Sequence, residues 1–219
     1  DILNASQGAN SLGSGANIQI YGATYGITGH LGNALTFDGN NDYGIVGSSL
    51  SQFNFMWVAD GVFTIAFWFR LNGTPTDTEY IFKNSPVAGV GTGLTILTNE
   101  TKIFYIQIDA GGSTKIELNC GNNYVPDITT WHYYSITVDL SITTNSIKVK
   151  RDNANLQQAD RVAAGATALA PTAMYIAARN DAGARFCDCS IQQCVLFNSI
   201  LTSGELDSLW NGGTGAQMY

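Results

Sequence analysis

Few side chains in this 219-residue chain could carry out covalent or proton-transfer chemistry, so their spacing decides how each is read. Glu occurs only at 79, 100, 117 and 205. A glycosidase holds two carboxylates about 5 to 10 Å apart across the scissile bond. No Glu here has an acid two or four positions on within a strand-like run, and Glu117 leads into Leu118, Asn119 and Cys120. The only histidines are His30 and His132. His132 sits in an alternating apolar run and reads as a hydrogen-bonded structural residue, His30 as a surface residue in the Gly29–Gly32 loop. The cysteines are Cys120, Cys187, Cys189 and Cys194. The C-x-C pair points one way along a strand, which is poor geometry for a mutual disulfide, and the spacing is not a common zinc pattern. Buried free thiols are the main reading; a disulfide to Cys120 or to another chain, and a metal, stay open. Catalysis is not expected.

Binding chemistry is better represented. Asp38-Gly39-Asn40-Asn41-Asp42 offers several oxygens within one turn, as calcium requires, although Asp and Asn also cap their own backbone in plain turns. Tyr43 follows directly. Between Gly47 and Gly61 stand Phe53, Phe55, Met56 and Trp57. Aromatic faces of this kind stack on sugar rings or anchor protein contacts. The bland alternative is that the segment folds back and caps one end of the core.

The elements that must position these groups are strands. Gly, Asn, Thr and Ser separate short apolar runs, and strong helix formers are thin, which marks an all-β chain. Phe63, Ile65, Phe67 and Phe69 alternate with Thr64, Ala66, Trp68 and Arg70, placing four apolar side chains on one face. Trp131 to Leu140 alternates similarly. Ala110-Gly111-Gly112-Ser113 reads as a hairpin turn. Further strands are expected at 34–37, 43–46, 80–83, 94–97, 102–109, 114–118, 146–151, 173–178 and 191–197. The polar stretches 72–79 and 152–169 read as loops. One helix is expected before Asn211-Gly212-Gly213, with Ser203 as its N-cap. The whole span 1–219 reads as one domain.

Charge is scarce, at 12% of residues, with a net charge of -7. That argues against an electrostatic grip on nucleic acid. No apolar run approaches the roughly 20 residues of a membrane helix, so no membrane insertion is expected. Asp1-Ile2-Leu3-Asn4 shows no basic segment followed by an apolar one, hence no visible signal peptide. The sequons at Asn4, Asn72 and Asn99 are expected by chance in so Asn- and Thr-rich a chain.

Five segments in order resemble one family. Gly32 to Tyr43 is similar to an opening G-x-A-L-x-F-D-G-x-x-D-Y, and Phe63 to Trp68 to an F-T-I-S-F-W strand. Trp131 to Asp139 is similar to W-H-x-V-A-V-T-x-D, Phe197 to Thr202 to Y-N-R-A-L-S, and Leu209 to Gly213 to L-Y-N-G-G. Together they resemble the laminin-G-like jelly rolls of the concanavalin A-like lectin/glucanase superfamily. The resemblance implies two curved antiparallel sheets packed face to face, with one short C-terminal helix. It implies that Trp68, Trp131 and Trp210 are structural, and that the 47–61 loop is longer than is usual. It also implies a calcium near Asp38, Asn41 and Asp42, completed from a late strand where this chain has Gln192 in place of an acid. Candidate ligand-binding residues are Phe53, Phe55, Trp57 and Tyr43. The expected function is a non-catalytic recognition module for glycan or a surface protein, at an extracellular or virion surface. The alternative is a structural decoration or fibre subunit of a bacteriophage particle, as a homo-oligomer or docked on capsid proteins; a glycoside hydrolase ranks third.

Overall fold

The computed structural model describes residues 18–47, 51–85, 91–179 and 183–215; the sequon at Asn4 lies outside them. Among the described residues fourteen strands form two seven-stranded antiparallel sheets. In chain order they are β1 Ile18–Tyr21, β2 Thr24–Thr28, β3 Asn33–Asp38, β4 Tyr43–Val46, β5 Val62–Leu71, β6 Glu79–Lys83 and β7 Gly93–Thr98. Then follow β8 Tyr105–Ala110, β9 Ser113–Asn119, β10 His132–Asp139, β11 Ile147–Arg151, β12 Ala154–Ala159, β13 Met174–Ile176 and β14 Asp188–Phe197. Sheet 1 has the order β1-β4-β13-β6-β7-β8-β9, and sheet 2 the order β12-β11-β10-β5-β14-β3-β2. The chain is all-β, a jelly-roll sandwich with one short helix, α1 Ser203–Trp210.

The expected alternation in β5 is the centre of the core. Phe63, Ile65, Phe67, Phe69 and Leu71 are buried between the sheets, and β10 sends in Tyr134, Ile136 and Val138 beside them. Sheet 1 answers with Phe82, Leu94, Ile96, Ile106 and Ile108. Phe67 lies edge-on to Phe82 with ring centroids 5.1 Å apart, and Tyr134 stacks on Phe104 at 4.6 Å. Such pairs add about 0.5–1.5 kcal/mol each beyond burial. The β8–β9 hairpin turns at Gly111 and Gly112, both at positive φ, which is the backbone that a two-residue primed turn demands.

Three strands escape a reading by alternation. β1 and β2 are short and largely exposed, and β12, Ala154–Ala159, lies inside the stretch expected as loop. Each sits at a sheet edge, where burial imposes little pattern. The helix begins one residue earlier than expected. Thr202 is the N-cap, accepting from the Glu205 backbone N–H, while the Glu205 carboxylate accepts from the Thr202 backbone N–H. This capping box needs the hydroxyl and the Glu three apart, which Ser203 cannot supply. Asn211, at φ 47°, ends the helix.

The aromatic loop before β5 is part of the core. Trp57 and Met56 are 0% exposed and Phe53 is 4%, with Phe55 packed against them. The Trp57 indole N–H donates to the Ala168 carbonyl at 3.2 Å, and the Trp57 carbonyl accepts from the Ala166 N–H at 2.8 Å. A Cβ at Gly165 would stand 1.9 Å from the Val58 carbonyl oxygen, so only glycine lets the two loops lie this close. Trp57→Ala is expected to lower unfolding free energy by about 3–5 kcal/mol, read from denaturant unfolding, whereas Tyr21→Ala at the exposed edge is expected to cost less than about 1 kcal/mol.

Candidate functional site: the tyrosine face of sheet 1

Register alone assembles a row of side chains across the outer face of sheet 1. Gln19 pairs with Ile45, Ile45 with Tyr175, and Tyr175 with Lys83. Lys83 pairs with Thr95, Thr95 with Gln107, and Gln107 with Glu117. Because Val46, Met174, Leu94 and Ile108 point into the core, these neighbours point outward. Beside the row Tyr21 pairs with Tyr43, and Leu97 with Tyr80 and Tyr105. Five tyrosines drawn from distant parts of the chain therefore share one face.

Four rings make a platform at one end of it. Tyr21 stacks on Tyr43 with centroids 4.5 Å apart and planes at 12°. Tyr43 meets Tyr175 at 5.9 Å and Phe186 at 6.4 Å. Tyr21 is 41% exposed, and the others are half-buried. Next to the platform Lys83 is buried, its ammonium 5.0 Å from the Tyr80 ring centroid. It donates to Ser85 Oγ at 2.6 Å and Thr95 Oγ1 at 3.0 Å. Burial lowers its pKa to about 8, against the pull of Asp109. Further along, Tyr105 donates to Gln107 Oε1, and Gln107 donates to the Asp109 carboxylate at 2.9 Å. Burial, then the Glu117 carboxylate, raises the Tyr105 pKa, keeping its hydroxyl a neutral donor. Lys83 and Thr95 are themselves buried, so the groups left for a ligand are the rings with the Tyr105 hydroxyl and the Gln107 amide. These can stack on a ring and hydrogen-bond to its substituents.

The candidates expected from sequence separate. Tyr43 lies within this platform. Phe53, Phe55 and Trp57 do not reach it, since the inter-sheet core takes them up; with Trp57 wholly buried, their assignment to ligand contact is corrected. Tyr21, Tyr80, Tyr105 and Tyr175 were missed, because no short motif contains them. Their only sequence signal is an aromatic at the outward position of a strand.

The calcium set also falls apart. Asp38 Oδ1 accepts from the Asn40 and Asn41 backbone N–H groups, which hold its pKa down. Asp42 Oδ2 accepts from the Asp38 N–H, and burial raises the Asp42 pKa. Gln192 is elsewhere: its carboxamide accepts from Leu31 N–H at 2.9 Å and donates to the Leu31 and Asn33 carbonyls, tying down the β2–β3 hairpin. Register sets Asp188 opposite Asp38, about 13 Å along the strand from Gln192. Among the described residues no group of three or more His, Cys, Asp or Glu side chains is arranged to hold a metal. Gln192 is therefore not placed to complete a calcium site with Asp38, Asn41 and Asp42.

The remaining reactive groups are buried or held by neighbours within the fold. All four thiols are buried and unbonded, and burial raises the pKa of each. His30, expected at the surface, stacks on Trp68 at 3.7 Å, with Nε2 2.5 Å from the Gly213 carbonyl. Trp68 and Tyr133 form a second buried cluster with Trp131 and Trp210 on the outer face of sheet 2, under α1. His132 bridges Asp152, 2.7 Å from Nδ1, and Asp127, 3.3 Å from Nε2.

These observations lead to the family. The Laminin G 3 family model, described as the concanavalin A-like lectin/glucanases superfamily, matches residues 38–207. The chain belongs to this superfamily. No curated protein sequence matches significantly. Among solved structures, the receptor binding domain of botulinum neurotoxin C/D mosaic serotype superposes with TM-score 0.67 at 12% identity. The botulinum neurotoxin DC binding domain is similar, solved in complex with SialylT (TM-score 0.66, 14% identity) and with rat synaptotagmin II (TM-score 0.68, 13% identity). Each match covers 93% of this chain but 48% of the other, so the chain spans about half the length of those structures. At these identities the likeness is one of fold. Among the described residues no helix is long and apolar enough to cross a membrane.

The His132 bridge generates a pH test. Burial alone would lower the His132 pKa, but Asp152 and Asp127 outweigh it, and the net shift is upward. Desolvation raises the Asp127 pKa, yet the Thr129 and Thr130 N–H groups and His132 hold it well below the carboxylate range. The histidine's contribution is complete below its unfolded pKa, about 6.5, and is lost as pH rises through the folded one. The aspartate's is present above about 3.8 and is lost as pH falls. His132→Gln is therefore expected to lower the melting midpoint most near pH 5 to 6 and least at pH 9, measured by thermal unfolding across pH.

Proposed function

We propose that this chain is a non-catalytic recognition module that binds glycan on the tyrosine face of sheet 1, at an extracellular or virion surface. The observation that carries the reading is the stack of Tyr21, Tyr43 and Tyr175 on the face that also presents the half-buried Tyr105 and Gln107. Rings of this kind cover the apolar face of a sugar, while ordered polar groups select its hydroxyls. Superfamily membership supports the reading, as do similar folds in receptor-binding domains, one solved with SialylT and one with a protein. Fold alone does not select a ligand, so the weight rests on the platform.

A glycan array followed by titration calorimetry tests this. Tyr43→Ala is expected to weaken the bound sugar about tenfold or more, since it removes the ring that touches its three neighbours. No sugar bound at about millimolar concentration would sink the glycan reading, that being the weak end of useful affinity. A stable symmetric oligomer or tight capsid docking without sugar affinity would instead favour the structural-subunit alternative.

A further inference from the structure

The outer face of sheet 2 carries a groove of about 390 Å³ between strands β10–β12 and the residues around the start of α1. Register sets its floor. Lys148 pairs with Thr137 on one side and Gln158 on the other, and Lys150 pairs with Ser135. Lys148, Lys150, Thr137 and Ser135 thus stand on a Cα grid roughly 5 by 7 Å. The walls are aliphatic. Leu156 and Ile200 are 47% and 41% exposed, and a smaller hollow that shares Thr137, Lys148 and Ile200 continues to Ile142, 43% exposed. Three of the seven large apolar side chains that the described residues expose therefore border one depression, a concentration that marks contact surfaces.

The cations of this groove differ from most others in the chain. Arg70, Lys83, Lys102, Lys115, Arg151 and Arg185 each have a hydrogen-bond or ion-pair partner. Lys148 and Lys150 have none among the described residues. The carboxylates at its edges have other hydrogen-bond partners: Asp139, which lines the continuation, accepts from Ser141, Glu205 closes the helix cap, and Asp207 accepts from Asn153. In a chain of net charge -7 the groove floor holds two lysines between aliphatic walls, with Asp139 confined to the continuation beside Ile142.

We propose that the groove docks an acidic, aliphatic segment of a polypeptide partner, its carboxylates over Lys148 and Lys150 and its aliphatic side chains against Leu156, Ile200 and Ile142. Charge complementarity selects an anion, and the walls select its companions. No aromatic ring lines the groove, so it lacks the stacking surface that a sugar prefers; those rings lie on the opposite sheet. The docking site is thus independent of the glycan face.

The test uses the whole chain and a fluorescein-labelled octapeptide of alternating Glu and Leu, followed by anisotropy. Saturable binding is expected. The double variant Lys148→Glu with Lys150→Glu should weaken it about tenfold or more, as two attractions become repulsions. Tyr43→Ala should leave it unchanged. The milder Lys148→Gln with Lys150→Gln pair must weaken binding in the same direction, which separates lost charge from a disturbed fold. Failure to saturate at about 1 mM, or equal affinity in the charge-reversed variant, overturns the proposal. An oligogalacturonate that binds more tightly than the peptide and loses affinity in the same variants also overturns it, assigning the groove to an acidic glycan.

Discussion

Strand β5 is buried on both of its faces, and the rest of the molecule is arranged around that requirement. Its odd-numbered residues from Phe63 to Leu71 fill the space between the sheets. Its even-numbered residues Ala66 and Trp68 lie under Leu209 and Trp210. A strand in this position needs a full sheet opposite, a strand on each side, and a cover over its back. β10 and β14 supply the flanks, sheet 1 the opposite layer, and α1 the cover. A one-residue slip would send the phenylalanines outward and Trp68 into the core, so the register is strongly specified.

From that constraint the two outer faces acquire different characters. Sheet 2 has its middle occupied by the tryptophan cluster and helix, which leaves the flank at β10–β12 as a groove lined by lysines and aliphatic side chains. Among the described residues no α-helix lies on sheet 1, whose outward positions hold tyrosines and a connected polar row. A sandwich that must bury its inner faces is free to vary its outer ones. Recognition chemistry can therefore change there without disturbing the packing that folds the chain.

Much of the scaffold was legible in the residues. Alternation identified β5 and β10, the Gly111-Gly112 pair identified the hairpin, and Asn211 with its glycines identified the helix stop. The edge strands β1, β2 and β12 were not legible, since exposed strands alternate weakly. The aromatic loop stayed open between ligand contact and core capping for a related reason. Phe53 and Trp57 look like surplus apolar area until Ala166 and Ala168, more than a hundred residues away, are found to bond to Trp57. Gln192 was placed in a metal set by analogy of position, yet its carboxamide has a local task in holding the β2–β3 hairpin.

The sequence by itself determined the fold class, the core-facing residues of the central strands and the helix boundary to within one residue. These depend on period-two burial and on local capping, which are properties of neighbours along the chain. Only the tertiary structure decided which strands lie side by side, and thus that Tyr21, Tyr43 and Tyr175 meet, or that Lys148 and Lys150 face Ser135, Thr137 and Leu156. Period two states which face of a strand a residue occupies but not which strand pairs with it. Both candidate surfaces are made of cross-strand rows, so they exist only once strand order and register are set.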